Sequence, residues 1–320
     1  MNKNLIPMNE RTKEEQREIA RKGGRESGKV RRRKRTMKDA AQLILQLPVS
    51  AEQVALLQKY GLKTLLPEDM KDFKAAGYYS KEAESLAQMD AGISLGGDGT
   101  FLQMARHLSP LKIPVFGVNF GKLGFLAETE MSDFEKALQK LAGHDFELEE
   151  RSQLKASVVK NGRVTVQAHA LNDMVVAKGH ISKLAHLELK INGKHSGIYA
   201  ADGLIVATAT GSTAYSLSAG GPMVHPSLDV SIITPICAHA LYTRPLIIPG
   251  TNLIEITAVP PYEELLLSAD GEITAAVAED DIIRIEKNPE PVRLIRLNGR
   301  SYYETWQQKL MRTCRNEEAK

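Results

Sequence analysis

The turn Gly96–Gly97–Asp98–Gly99–Thr100 places an acid where a backbone can approach a phosphate chain. Glycines lack the Cβ that would hold an anion away, and a helix starting at such a turn offers free N–H groups and a positive dipole end. An acid inside an anion-binding loop is costly unless it has a task. Two tasks fit: taking a proton from an attacking hydroxyl, or helping to hold a divalent metal. The same residues also read as a structural turn with a surface Asp. A second segment, from Asp202 to Gly221, feeds a buried strand into small hydroxyl residues and glycines, with Tyr215 as its one aromatic ring. Small side chains leave room for a flat ligand, and hydroxyls bond ribose and amide groups without charge. A third pair, Asn172–Asp173, has the donors and acceptors to bridge both hydroxyls of a ribose, although Asn-Asp is also a common turn pair.

Other reactive residues carry less. The 8 histidines show no metal-ligand spacing, and His225 reads as a core or loop histidine. The 2 cysteines, Cys237 and Cys314, lack C-x-x-C spacing, which argues against a disulfide framework, a zinc site or a redox dithiol. They are expected to be buried or inert.

The elements that must position these residues change period along the chain. Ser50 with Gln53 forms a capping box opening a helix over Ala51–Tyr60, followed by a strand at Leu62–Leu66. Ala91–Leu95 is a buried strand running into the glycine turn, after which Phe101, Leu102, Ala105 and Leu108 recur at helical spacing. Ile113–Val118 is another strand and Asp133–Leu141 another helix. Such alternation predicts a mostly parallel sheet whose ligands lie beyond the carboxyl ends of its strands. After about residue 150 the period is two, and Asn161–Gly162, Asn192–Gly193 and Asp270–Gly271 each separate two alternating strands as hairpin turns. Tyr302–Met311 reads as helix. The fold class expected is α/β plus all-β, an N-terminal Rossmann-like parallel-sheet domain with a C-terminal antiparallel β domain. Gln42–Leu47 fits a first strand, yet Met37, Ala40, Ala41, Ile44 and Leu45 fit a helical face equally well.

Composition sets the outer limits. With 42% apolar and 25% charged residues over 320 positions the chain is expected to fold, and no apolar run is long enough to span a membrane. No secretory signal is legible at the N-terminus, so a cytoplasmic location is expected. Residues 1–50 hold 14 Lys/Arg against 6 Asp/Glu, whereas residues 51–320 hold 28 against 33. The basic character therefore belongs to an arm over 1–36, expected to be mobile, with a short helix at Lys13–Lys22. Six of the seven residues from Lys29 to Arg35 are positive, enough for salt-sensitive contact with a nucleic-acid backbone or simply for a solvated tail. Beyond the arm the expected division is an α/β nucleotide-binding domain at 37–150, an antiparallel β domain at 151–296, and a segment at 297–320 packing back on the α/β domain.

Taken together and in order, GGDGTFLQMAR, GVNFGKLGFLAE, the LND segment and DGLIVATATGSTAYSLSAGGPMVHPSL resemble the NAD kinase family from about Leu62 onward. Glycine turns of this kind also occur in diacylglycerol and sphingosine kinases; the TGSTAYS stretch discriminates. The resemblance implies transfer of the γ-phosphoryl group of ATP, or of another nucleoside triphosphate or polyphosphate, to the 2′-hydroxyl of the adenosine ribose of NAD. It makes Asp98 the catalytic acid/base and Asp98–Gly99 a nucleotide contact. Asn172 and Asp173 would hold a ribose, and Lys183 would contact NAD. Asp202 and the run Thr213, Ala214, Tyr215, Ser216, Leu217 and Ser218 would form the NAD pocket within the β domain. A divalent metal, Mg2+, and a homodimer or homotetramer are implied as well. The chain departs from the family at Glu272, where Gln is usual, and over residues 1–50, which resemble basic N-terminal segments of some phage-type proteins. Two alternatives stand beside this reading: a lipid kinase of the same superfamily, and an impaired kinase-like body whose basic arm binds nucleic acid.

Overall fold

A computed structural model describes residues 42–46, 50–67, 77–79, 86, 89–121, 124–127, 129–179, 184–240, 243–260, 264–297 and 301–317. The basic arm and its expected helix lie outside these residues, as do Lys183 and the side chain of Cys314.

The first half alternates as its sequence requires: β1 (Gln42–Gln46), α1 (Ala51–Lys59), β2 (Lys63–Pro67), β3 (Gly77–Tyr79), β4 (Ala91–Leu95), α2 (Asp98–Leu108), β5 (Val115–Asn119), β6 (Thr129–Glu130), α3 (Phe134–Ala142) and β7 (Glu147–Arg151). The Ser50 capping box is formed, with Ser50 Oγ accepting from the Gln53 N–H at 3.3 Å and the Ser50 N–H donating to Gln53 Oε1 at 2.8 Å. Two orphan donors at the helix start are satisfied reciprocally.

The second half is antiparallel. Its strands are β8 (Leu154–Lys160), β9 (Arg163–Ala170), β10 (Asp173–Lys178), β11 (Ala185–Ile191), β12 (Lys194–Ala201), β13 (Gly203–Thr208), β14 (Val230–Ile236), β15 (Leu246–Pro249), β16 (Ile254–Ala258), β17 (Leu265–Ala269), β18 (Glu272–Val277) and β19 (Ile282–Lys287), with a one-turn helix α4 (Tyr215–Ser218) after β13. The chain then returns to the first sheet through β20 (Val292–Arg296) and ends in α5 (Tyr302–Glu317).

Among the described residues the first sheet runs β3-β2-β1-β4-β5-β20-β7, with β6 beside β5. All of its pairings are parallel except β20 with β7. Gln42–Gln46 is thus a strand, bonded to β2 on one edge and β4 on the other, with Leu43 opposite Ala91 and Ile44 opposite Leu65. Periodicity alone left helix and strand equal there, and the two flanking strands decide it. The first βαβ unit is complete. Helices cover both faces: Val54 and Leu57 of α1 share a core with Phe134, Leu138 and Leu141 of α3, while Phe101, Met104 and Leu108 of α2 pack with Val115 and Leu294 on the other side.

The β half stacks two six-stranded sheets, β15-β14-β13-β10-β17-β18 and β12-β11-β16-β19-β8-β9, over one apolar core that includes Leu187, Leu189, Leu204, Val206, Ile283 and Ile285. Each expected hairpin turn has positive φ at both central residues: Asn161 48° and Gly162 75°, Asn192 51° and Gly193 74°, Asp270 48° and Gly271 82°. That geometry matches the twist of the flanking strands, which is why Asn/Asp-Gly pairs mark it. No helix among the described residues is long and apolar enough to cross a membrane. Of the two expectations for the cysteines, burial does not hold for Cys237, which is exposed because β14 ends at Ile236 and the chain bends there with φ 48°.

Candidate active site

The glycine turn leaves the carboxyl end of β4, and its Gly97 is the N-cap of α2, so Asp98 is the first helical residue. Its carboxylate reaches across to the loop after β5. Oδ2 accepts the Phe125 N–H at 2.9 Å, and Oδ1 accepts those of Leu126 at 3.1 Å and Ala127 at 3.2 Å. A Cβ on Gly124 would stand 2.1 Å from Asp98 Oδ1, so the residue next to this cradle has to be small. Beside Gly97 and Gly99 there is open space. The loop therefore has an approachable backbone on one side and a fixed acid on the other, the arrangement a phosphate chain next to a reacting hydroxyl requires.

A second cluster is built on the same principle. Asp270, in the β17–β18 turn, accepts the N–H groups of Leu171 at 2.9 Å, Asn172 at 2.8 Å and Asp173 at 3.1 Å. Thr208 Oγ1 donates to the Leu171 carbonyl at 2.6 Å and accepts the Gly211 N–H at 3.0 Å, which fastens the end of β13 to the Asn172–Asp173 segment. Contact is so close at Gly211 that a Cβ would meet the Asn172 carbonyl oxygen at 2.1 Å. Leu171 is buried in one cluster with Phe101, Met104 and Leu126, so the Asp98 helix and the Asn172–Asp173 segment are neighbours.

Asp173 is buried, with 4% exposure. Burial, followed by the like charge of Asp270, pushes its carboxyl up to about 7, while the N–H of Tyr215 donates to it and pulls the other way. Asp270 is also raised by burial, against its three backbone donors. The folded value of Asp173 stands above the unfolded one, so the stability tied to its neutral form is complete below about pH 4 and is lost as pH rises through about 7. In denaturant unfolding between pH 4 and 7, the native protein is expected to lose up to roughly 1.4 kcal/mol per pH unit more than Asp173→Asn. Parallel curves for the two proteins would show that Asp173 does not titrate in this range.

The hydroxyl run divides into structural and available groups. Ser212 Oγ accepts the Val224 N–H at 3.0 Å and donates to its carbonyl at 3.1 Å, and Ser216 Oγ lies 2.8 Å from Thr234 Oγ1; both serines are fully buried. Thr213 is half-buried, while Tyr215 and Ser218 are exposed. Asn172, Asp173 and Thr213–Ser218 thus come together. Asp202 does not join them: it precedes β13, whose other end meets Asp173, about 17 Å away at the usual strand rise. There it pairs with Lys178, Nζ to Oδ1 2.6 Å.

Several residues around the site carry no signal in the sequence. Arg106, two turns along α2, pairs with Glu272 and donates through Nη2 to the Ala269 carbonyl at 3.1 Å. The departure at Glu272 thus has a cationic partner in this chain. Arg151 is fully buried, its Nε on Glu149 Oε1 at 2.8 Å and its Nη1 donating to Thr210 Oγ1 at 3.2 Å. His225 is a loop histidine, as expected, with its ring against Tyr302 and Tyr303 of α5. Isolated cations and aromatics of this kind form no motif; only the fold gathers them.

A glycine loop at the head of a helix in a doubly covered sheet, set against a hydroxyl-lined wall on an antiparallel domain, is an arrangement that suits a phosphotransferase of the kinase class. Family models described as the ATP-NAD kinase N-terminal domain and C-terminal domain match residues 11–146 and 171–297. The first match begins well upstream of Leu62. The NAD kinase of Moorella thermoacetica is 43% identical over 227 residues, covering 71% of this chain and 73% of its own, and that of Geotalea daltonii is 36% identical over 262 residues, covering 82% and 92%. Among solved structures, an NAD kinase from Archaeoglobus fulgidus in complex with ATP aligns with TM-score 0.66 and 26% identity over 85% of this chain and 98% of that one. Yeast NADH kinase complexed with NADH aligns with TM-score 0.74 at 24% identity, over 85% and 87%, and shares the fold. The chain belongs to the NAD kinase family.

Proposed function

We propose that this enzyme phosphorylates the 2′-hydroxyl of the adenosine ribose of NAD, with ATP as donor, and that Asp98 is the base. The observation that carries this is the placement of one acid at the head of α2, beside an open glycine backbone and next to Asn172–Asp173. In the reaction the hydroxyl oxygen forms a bond to the γ-phosphorus as the bond to the bridging oxygen breaks. Its electron pair leaves with ADP, and the hydroxyl proton passes to Asp98. The chain's contribution is to hold the reacting groups in line and to receive that proton. Asn172 and Asp173 hold the ribose, and Thr213 to Ser218 wall the NAD pocket, with Tyr215 and Ser218 on its accessible side and Ser216 supporting from beneath.

Among the described residues no group of three or more His, Cys, Asp or Glu can hold a metal, and the Asp98 oxygens already face three N–H donors. The described residues therefore form no protein cage for a divalent ion. Magnesium fits instead as a companion of the donor's phosphates, its usual mode of binding. A homo-oligomer belongs to this reading as well; Asp202, at the far end of β13 and paired with Lys178, does not line this chain's own candidate pocket. The cytoplasm, where NAD and ATP are both at hand, is the matching location. An apolar lipid acceptor fits poorly against a wall of hydroxyls and buried acids. Incubating the pure protein with ATP, magnesium and NAD is expected to yield NADP. Phosphorylation of diacylglycerol with no NADP formed would reverse the assignment.

A further inference from the structure

Helix α5 lies beyond residue 297, where the matched family domains end. Tyr302, Trp306 and Lys309 follow one another at i, i+4 and i+7, so they share one face of it. That face touches both halves of the site. Tyr302 and Tyr303 carry the ring of His225, from the segment that follows the hydroxyl wall, and Trp306 packs edge-on against Tyr302 at 4.6 Å between centroids. One turn on, Lys309 Nζ stands 3.7 Å from Asp98 Oδ2 and 4.0 Å from the centre of the Phe125 ring.

We propose that Lys309 is a catalytic residue whose ammonium group binds the transferred phosphoryl group and neutralises the charge that develops on its oxygens. This rests on Asp98 being the base. A base must lie about 3 Å from the attacking hydroxyl, and that oxygen about 3–3.5 Å from the phosphorus it attacks. A cation in contact with the same carboxylate is therefore within a side-chain swing of the phosphoryl oxygens. The position is also partly shielded from water: Lys309 keeps 25% side-chain exposure, and burial lowers its pKa from the ordinary lysine value while Asp98 raises it again. A partly desolvated ammonium exchanges its contacts for anionic oxygens at less cost than a fully hydrated one and acts more strongly on them. Asp98 is anchored by the N–H groups of Phe125, Leu126 and Ala127, so its own position does not depend on the lysine.

Lys309→Met keeps the apolar stem over Phe125 and removes the charge; Lys309→Arg keeps the charge. With ATP and NAD, K309M is expected to lose roughly 10²-fold in kcat/KM for ATP, as for deletion of one positioned donor at a developing charge, while the KM for NAD stays within about twofold. K309R should recover at least part of the loss, and calorimetric affinity for inorganic tripolyphosphate should fall in K309M at an unchanged unfolding temperature. Turnover and tripolyphosphate affinity of K309M within about threefold of the native protein would overturn the proposal. So would equal losses in K309M and K309R accompanied by a lowered unfolding temperature, since α5 packing and not charge would then be at stake. A native protein that forms no NADP would instead overturn the reading on which the proposal rests.

Discussion

Asp98→Asn is expected to lower turnover by roughly 10²–10⁴-fold, the range for loss of a positioned general base. The side chain keeps its shape, so the head of α2 and the open backbone at Gly97 and Gly99 are retained. The amide oxygen can still accept the N–H groups of Leu126 and Ala127, which in the native protein share Oδ1. Its NH2 group then replaces the oxygen that faces the Phe125 N–H and the Lys309 ammonium, donor against donor. One lost backbone bond costs about 1 kcal/mol of stability, too little to unfold a domain, so the variant should remain folded and bind NAD nearly as well. Steady-state NADP formation with the KM for NAD, read beside a thermal melt, separates the two effects. A folded variant turning over within tenfold of the native enzyme would take the proton-accepting role away from Asp98.

A chain starting at Pro67 is expected to aggregate without activity, whereas one starting at Thr36 should match the full-length protein. Residues 1–35 are hydrophilic, highly charged and interrupted by Gly23–Gly24, so their removal is expected to cost the fold almost nothing. Starting at Pro67 removes β1, which lies between β2 and β4 and bonds to both, so the edge of β4 opens to solvent. It also removes α1, whose Val54 and Leu57 are 3% and 0% exposed over the sheet. Burial of each such side chain contributes about 1.5–3 kcal/mol, and the loss of an inner strand comes on top, against a total stability of about 5–15 kcal/mol. The same truncation breaks the link from Lys59 and Tyr60 to Glu135 on α3, at 2.8 Å each. Solubility, thermal unfolding and NADP formation of the two truncations test this. Equal behaviour would mean that everything before Pro67 is an appendage.

Local chemistry was enough to read much of the fold. The capping box at Ser50, the strand at Ala91–Leu95 and the three Asn/Asp-Gly turns depend on bonds within a few residues, and the structure shows each of them. The glycine turn and the hydroxyl run were legible for the same reason, since backbone approach and small side chains are properties of contiguous residues. Tertiary structure decided what depends on neighbours distant in the chain. Gln42–Gln46 became a strand because β2 and β4 flank it, a choice its own apolar spacing does not contain. Ser216 turned inward because Thr234 lies beneath it, and Asp202 was carried to the opposite end of β13 from Asp173. The cradle of Asp98, the turn acid Asp270 that holds three backbone N–H groups, and Lys309 beside Asp98 join residues 27 to 211 positions apart. Electrostatic and hydrogen-bond partners act through space at a few ångströms, so a sequence can show which groups are able to react but not which ones will face each other.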